Sequence, residues 1–354
     1  MTQQADEARL KEMIARVGAI REMHIPHRQL LDLKADLKTL VDRDNAASEG
    51  ACMPLVGKSG SGKTKLILDF MSEYPRRKHA LTNERGEKAD HTPVLLVSVP
   101  DAGEKPLMER LYKAASGASV VDTRRRFDFR EEAARLLEEM QTKVVIFEET
   151  HQAFGPKPES VTRVATAFKD LLNDAKFTIV LAGTSAVFRL FEASPELARR
   201  KLDNLTLDPF PWNEPTERSV PEFFRVLRAF DDALELALGS RSKLDAPGLA
   251  LRLHVATGGL IGLLAVLLER AGTLAARDIV RRKASQITTT HLGRAFAGQR
   301  APGTPNPFTT NADDAVRAMA RPQHAAEVPA VPPAPVIRAR GRRRNANPDH
   351  LFRP

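Results

Sequence analysis

The fold of this chain is decided by the stretch Gly57-Lys58-Ser59-Gly60-Ser61-Gly62-Lys63-Thr64, which fills every fixed position of the phosphate-binding pattern G-x-x-x-x-G-K-[ST]. A short apolar run at 53–56 leads into it as a buried strand, and residues 65–71 follow with the apolar spacing of a helix. Glycines let such a loop curl so that its N–H groups point at phosphate oxygens, and the helix N-terminus adds positive potential there. Strand, loop and helix together predict a nucleotide site.

This P-loop also predicts which groups hold ATP and Mg²⁺. We expect the Lys63 amine to reach the β- and γ-phosphates and the Thr64 hydroxyl to bind Mg²⁺. The predicted ATP-binding residues of this segment are Gly57, Lys58, Ser59, Gly60, Ser61, Gly62, Lys63, Thr64 and Lys65.

Length and composition limit the class of protein. The 354 residues are enough for one ATPase unit of two subdomains with tails. Apolar runs are too short for a membrane helix, and the polar, acidic N-terminus is unlike a signal peptide. The single cysteine, Cys52, excludes an internal disulfide and favours a cytoplasmic location. The net charge of +9 indicates a polyanionic partner.

Four regions are predicted along the chain. Apolar strands alternate with helices over residues 46–212, which indicates an α/β core with a parallel sheet covered on both faces. The preceding residues 1–45 have the pattern of two amphipathic helices broken before Pro26. An all-helical lid is expected over 213–299, and the Pro- and Arg-rich tail 300–354 is expected to be disordered.

A pair of carboxylates follows the apolar strand 144–147. Carboxyl ends of parallel strands meet at one edge of a sheet, so Glu148 is expected to bind Mg²⁺ and Glu149 to orient or deprotonate the attacking water. The more common residue at the first position is Asp, and the longer Glu148 predicts slow hydrolysis because Mg²⁺ demands near-ideal geometry. The alternative is a solvated acidic pair that ends a strand.

Two further positions fit ATPase chemistry. Thr184, with Ser185 as the second choice, ends the fourth predicted strand and is a candidate sensor of the γ-phosphate; a helix N-cap is the alternative for either. The basic run Arg199-Arg200-Lys201 follows a short helix, and a cation in it is a candidate arginine finger that would act on a neighbouring subunit. The alternative is that the basic run 199–201 is a solvated surface.

Taken in order, several short stretches resemble the AAA+ ATPases of DNA transposition, the TniB/TnsC type, over about residues 18–298. The stretches are His24-Ile25-Pro26-His27, the P-loop, Ile146-Phe147-Glu148-Glu149-Thr150-His151, Leu181-Ala182-Gly183-Thr184, Leu197-Ala198-Arg199-Arg200 and Thr257-Gly258-Gly259-Leu260-Ile261-Gly262. The resemblance implies a P-loop AAA+ core with a lid and ATP-dependent rings or filaments on double-stranded DNA. It also implies a transposase that is recruited and activated, and a TniQ-like protein that helps to choose the target.

The resemblance adds residue roles and shows two departures. It implies that Ile25 and Pro26 lie near the adenine, and that Arg200, or alternatively Arg199, reaches a neighbouring subunit's nucleotide. Glu148 departs from the usual Asp, and the lid helix begins without the sensor-2 arginine of many AAA+ proteins, because Arg270 comes too late. Both departures concern hydrolysis more than ATP binding.

Aromatic residues are scarce, so contacts to phosphates are expected to dominate any DNA binding. The candidates lie between the predicted strands 94–99 and 143–147, and the alternative for each is a solvated loop. They are Lys105, Lys113, Arg124, Arg125 and Arg126. The arginines of residues 338–344 are candidates for DNA or for a partner, with Leu351-Phe352 as an anchor.

Two other functions compete with this interpretation. A nucleotide-switched signalling or defence ATPase would act on a protein partner without DNA and would normally carry an effector domain. An origin-recognition-type loader would normally add a winged helix after the lid, and the polar, proline-rich sequence after residue 300 does not resemble one.

Overall fold

A computed structural model describes residues 2–43, 50–82, 86, 88–99, 103–117, 128–174, 177–301 and 303–310. Contacts divide the chain into a unit of residues 1–320 and a second of residues 321–354, and every described residue lies in the first. The predicted DNA-contact residues Arg124, Arg125 and Arg126, the sequence 311–354 and its arginines therefore lie outside the described residues.

The strands form one parallel sheet and one hairpin. The sheet has the order β4-β5-β6-β1-β7, and β2 and β3 form a separate antiparallel pair. The strands are β1 (Ala51–Val56), β2 (Arg77–Thr82), β3 (Lys88–His91), β4 (Val94–Ser98), β5 (Val144–Glu148), β6 (Thr178–Gly183) and β7 (Leu205–Thr206).

Helices cover the sheet and form the lid. Those of the N-terminal part and the sheet are α1 (Thr2–Ala19), α2 (Arg28–Asp42), α3 (Lys63–Ser72), α4 (Glu104–Ser116), α5 (Phe129–Glu139), α6 (Pro158–Asp174), α7 (Phe188–Ala193) and α8 (Pro195–Arg199). Those of the lid are α9 (Glu222–Leu238), α10 (Pro247–Thr257), α11 (Ile261–Val280) and α12 (Thr289–Ala297). Short 3-10 turns lie at Ile20–Glu22, Thr150–Ala153 and Ser185–Val187.

Both faces of the sheet are covered, as the continuous apolar strands predict. Residues on one face pack against α2 and α3, and residues on the other pack against helices α4 to α8. Cys52 lies in the second of these cores, where burial raises the pKa of its thiol to about 12. The cysteine is therefore an inert packing residue.

The N-terminal segment is divided between the two parts of the fold. α2 packs on the sheet, whereas α1 packs on α9 and α11 and contributes Met13 and Val17 to the lid core. Gly272 on α11 permits this approach, because a Cβ there would lie 2.8 Å from a methyl group of Val17. Helices α1 and α2 thus bridge the core and the lid.

Most predicted elements are present within a few residues of their expected bounds. The hairpin β2–β3 and the two-residue strand β7 were not expected, because neither has an alternating apolar pattern. The predicted all-helical lid is present, and its longest helix, α11, ends at Val280. Of the helices described, none alone is long and apolar enough to span a membrane, and α10 with α11 pass that test only as a pair bent by 113°.

Candidate nucleotide site

The P-loop joins β1 to α3 at the carboxyl edge of the sheet. Gly57 sits where a Cβ would meet the carbonyl oxygen of Leu207 at 2.6 Å, so a side chain there would displace the backbone. Its N–H donates a 3.1 Å hydrogen bond to Gly183 O at the end of β6. Gly62 has φ +108°, a value that side chains rarely adopt. The predicted glycines are therefore required by the shape of the loop.

Lys63 is held inside the loop. The residue is 5% exposed, and its Nζ donates to Gly57 O at 2.9 Å and to Lys58 O at 3.2 Å. Burial lowers the pKa of its amine, while the nearby carboxylates of Glu149 and Glu148 oppose that shift. The amine thus lies inside the loop, and its binding to phosphate oxygens stays a prediction from the motif.

The predicted Mg²⁺ residues lie in contact. Thr64 Oγ1 donates to Glu148 Oε1, so the longer glutamate side chain spans the gap between β5 and the start of α3. A hydroxyl and a carboxylate are oxygen ligands of the type that Mg²⁺ prefers. Among the described residues, no group of three or more His, Cys, Asp or Glu side chains could hold a metal ion. These two residues fit a Mg²⁺ whose remaining ligands are phosphates and water.

Glu149 has a strained backbone. Its φ of +57° and ψ of +36° lie in the left-handed region, at a cost of about 1–2 kcal/mol for a non-glycine residue. Such strain concentrates at functional positions. Its Oε2 lies 3.4 Å from Nε2 of His151, a residue that the resemblance includes without assigning it a role. The other ring nitrogen of His151 is buried with no described hydrogen-bond partner, and Gly183 leaves room for it, since a Cβ there would lie 3.0 Å away.

Thr184 follows β6, the strand between β1 and β5. It is half-buried, and its side chain forms no cap bond to the 3-10 turn that follows. The Thr184 side chain therefore does not make the hydrogen bond that an N-cap role requires. Ser185 is exposed and one residue farther from the sheet.

The two candidate finger arginines have different surroundings. Arg200 is half-buried and donates to Asn173 Oδ1 at 2.6 Å, and its carbonyl accepts a bond from the Cys52 N–H at 3.0 Å. Arg199 ends α8 and is exposed. Arg200 would have to break its hydrogen bond to Asn173 before it could reach a neighbouring subunit's nucleotide. Arg199 has no such bond to Asn173 to break.

The lid contacts the P-loop directly. The Gly262 N–H, near the start of α11, donates a 2.8 Å hydrogen bond to Gly60 O. A Cβ on Gly262 would lie 2.8 Å from that same oxygen. Ile261 and Leu263 pack over the glycines of the loop. Arg270, in the middle of α11, instead donates to Gly298 O at 3.4 Å, so its role in the described structure is within the lid.

The expected adenine segment is packed against a set of contacts that we call the lid hinge, in which Phe210, between β7 and α9, meets His254 and Gly259 at the end of α10. Ile25 belongs to the lid core, and the His27 ring is 3% exposed and meets the Phe210 ring edge-on at 4.8 Å. Burial is the main cause that lowers the pKa of His27, and both its ring nitrogens lack a partner among the described residues. Within this hinge, both backbone polar groups of Phe210 have partners. His254 Nε2 lies 2.8 Å from Phe210 O, and the Phe210 N–H donates to Gly259 O at 2.9 Å.

The remaining predicted site residues are less confined. Lys65 pairs with the Glu22 carboxylate and donates to Glu22 O at 3.2 Å, which ties α3 to the 3-10 turn that follows α1. Lys105 is exposed at the start of α4, and Lys113 pairs with Glu109 at 2.5 Å. The family stretch that ends at Gly262 gave no indication of its contact with the P-loop, and no motif marks the hinge residues Phe210 and His254.

Solved structures of low identity share this architecture. Cdc6p from Pyrobaculum aerophilum superposes with a TM-score of 0.50 at 11% identity, over 80% of this chain and 70% of that one. The ORC2 protein of Aeropyrum pernix, in ADPNP–ADP complexes, gives 0.51 at 15% identity, over 79% and 71%. At these identities the likeness shows the AAA+ fold alone. A comparison with curated proteins gave no match.

A family model described as "Bacterial TniB protein" matches residues 16–211, which span the end of α1, the P-loop, the paired glutamates and both candidate finger arginines. The match covers more than half of the chain and is independent of the structural superpositions. The chain therefore belongs to the TniB family and is a P-loop ATPase with the AAA+ fold.

Proposed function

We propose that the chain is an ATP-dependent regulator of DNA transposition that oligomerises on double-stranded target DNA and recruits and activates a transposase, with a TniQ-like protein as a partner in target choice. The observation that carries the ATP-dependent part is the contact between Thr64 and Glu148 beside the buried amine of Lys63. The transposition part is supported by the TniB family match.

In this proposal, each site residue has one task. The loop amides and Lys63 bind the phosphates of ATP, while Ile25 and Pro26 lie on the side of the adenine. Thr64 and Glu148 hold Mg²⁺, which when bound neutralises charge on the phosphates. Glu149 accepts a proton from the attacking water, and Thr184 senses the γ-phosphate from the neighbouring strand.

Hydrolysis is completed by a second subunit. Arg200, or Arg199 in its place, supplies the positive charge that stabilises the transferring phosphoryl group. Arg199 is exposed on the surface and Arg200 is held by Asn173, so formation of the subunit interface would release Arg200 if it is the finger. Oligomerisation and ATP turnover are thereby coupled.

DNA is bound through its phosphates. Exposed Lys105 is a described contact candidate, and Lys113 becomes one when it leaves Glu109. The net charge of +9 supports a polyanionic partner. Such binding has little sequence preference and weakens steeply with salt.

The test is fluorescence anisotropy of a labelled DNA duplex, with and without ATP and Mg²⁺, at about 50 and about 200 mM salt. Wild type is expected to bind only with ATP and more weakly at the higher salt, and Lys63→Ala is expected not to bind. If wild type shows no ATP-dependent DNA binding at low salt, the proposal fails, and a nucleotide-switched ATPase that acts on a protein partner without DNA replaces it.

A further inference from the structure

An exposed basic β-ribbon lies outside the nucleotide site. It consists of β2 and β3, which pair antiparallel and join no other strand. Arg77, Lys78 and Lys88 are exposed on it. None of the three has an acidic partner among the described residues, and Lys88 Nζ donates only to Thr82 Oγ1, at 3.1 Å. An isolated two-stranded ribbon that buries so little apolar surface adds little to stability.

The ribbon contains a bulge that is held in place by one carboxylate. Arg77 pairs with His91 and Leu81 with Ala89, so three residues of β2 stand opposite the single residue Asp90. Asp90 Oδ1 accepts the His79 N–H at 2.9 Å, and Oδ2 accepts from Arg76 Nε at 2.8 Å. His79 has φ +53°, a backbone value that is costly for a non-glycine residue. Bulges of this kind re-aim side chains.

The base of the ribbon is fixed to α4. Arg76 donates from Nη2 to Ala115 O at 3.2 Å and from Nη1 to Ala114 O at 3.5 Å. These carbonyls directly follow Lys113, one of the two described residues that the proposed function assigns to DNA. The ribbon is therefore fixed beside the C-terminal end of α4, the helix that carries Lys113.

We infer that the β2–β3 ribbon is a second DNA-contacting element, in which Arg77, Lys78 and Lys88 bind phosphates of the duplex, and which extends the surface that begins at α4. The inference rests on the proposed function, because it names a further part of the same DNA interface. Three cations without acidic partners complement a polyanion, and a two-stranded ribbon has dimensions that a DNA groove admits. The bulge around Asp90 lies between Arg77 and Leu81 and would set the direction of the basic side chains on β2.

The experiment uses the full chain with three charges removed, as Arg77→Gln/Lys78→Gln/Lys88→Gln. The matched control removes three clustered, exposed charges from the lid, as Arg281→Gln/Arg282→Gln/Lys283→Gln. Both are titrated against a fluorescein-labelled duplex with ATP and Mg²⁺ over a range of salt, after ATP affinity and circular dichroism confirm that each is folded.

The ribbon variant is expected to bind about tenfold more weakly, with a salt slope reduced by about three, while the lid control stays near wild type. Equal losses in both variants, or none in the ribbon variant, overturn the inference. A variant that binds DNA normally but fails to engage a transposase also overturns it, in favour of a protein-docking ribbon. If wild type itself does not bind DNA, the proposed function fails first, so the two failures are distinguishable.

Asp90→Ala supplies a second test. This change adds a net positive charge, so simple electrostatics predicts tighter binding, whereas loss of the bulge predicts weaker binding. Weaker binding supports the inference, and equal or tighter binding overturns the role of the bulge in presenting the ribbon.

Discussion

The amide of Gly262 donates a 2.8 Å hydrogen bond to the carbonyl of Gly60, and this bond links the first turn of the lid helix α11 to the P-loop. The contact is as close as a backbone allows, because a Cβ on Gly262 would lie 2.8 Å from the oxygen and 3.1 Å from the Cα of Gly60. A change in the backbone of the loop on nucleotide binding would therefore shift the start of α11 or break this hydrogen bond. The lid carries no arginine at this position, so the coupling is made by the backbone.

Gly262→Ala is expected to weaken ATP binding about tenfold, because the methyl group must push α11 off the loop at a cost of about 1–3 kcal/mol. The measurement is ATP affinity by calorimetry. Gly18→Ala is the control, since a Cβ at Gly18 meets nothing within 4 Å. Unchanged affinity in Gly262→Ala would show that the lid contact does not shape the loop.

Glu149→Gln is expected to lower the turnover number by about 10²–10⁴-fold and leave ATP affinity within about threefold, because the amide cannot accept the proton from water. Steady-state phosphate release and equilibrium ATP binding measure the two quantities. Glu159→Gln, an exposed change on α6, is the control. Retained turnover would move the general base to another residue.

Glu148→Gln is expected to raise the Mg²⁺ concentration for half-maximal ATPase activity about tenfold or more, because it keeps the length of the side chain and removes its charge. ATP affinity in EDTA should match wild type. The Mg²⁺ titration of phosphate release checks this, and an unchanged midpoint would rule out Glu148 as part of the Mg²⁺ site.

Acid should loosen the hinge around Phe210. Burial lowers the pKa of His27 and of His254 below the usual 6.5, so the unfolded chain binds more protons than the folded chain once the pH falls through that value. The stability present above about pH 6.5 is then lost as the pH falls. Thermal unfolding at neutral and mildly acidic pH measures the loss.

His27→Phe is expected to flatten this pH dependence and to raise the melting temperature at neutral pH, because it removes two buried nitrogens without described partners and keeps the ring against Phe210. His91→Phe, a half-buried residue of the β2–β3 ribbon, serves as the control. A pH profile of His27→Phe that parallels wild type would contradict the account.

The sequence-based prediction of the fold is confirmed where the fold depends on local patterns. The P-loop has fixed spacing, and the strand before Glu148 is apolar throughout. Both could therefore be placed at the carboxyl edge of a parallel sheet. The contact of Thr64 with Glu148 follows from that topology, since the carboxyl ends of the parallel strands β1 and β5 lie at the same edge of the sheet, on either side of β6. The N-terminal break at Pro26 was predictable for the same local reason.

Tertiary features could not be predicted in this way. The closeness of Gly262 and Gly60 joins residues about two hundred positions apart, and no periodicity encodes it. The β2–β3 ribbon has mostly exposed residues on β2, so it lacks the alternation that marks a half-buried strand. Helix α2 packs on the sheet, whereas α1 packs on the lid. The packing of α1 depends on Gly272 in α11, which lies far along the chain.

The most direct test of the central claim is sedimentation velocity of a fluorescent DNA duplex with the hydrolysis-deficient Glu149→Gln chain, ATP and Mg²⁺. If the chain oligomerises on DNA with ATP, the duplex is expected to sediment as a particle that carries several copies of the protein. With Lys63→Ala, or without ATP, it is expected to sediment at the rate of free DNA. A duplex that sediments as free DNA, or with a single copy, under all these conditions would contradict the claim.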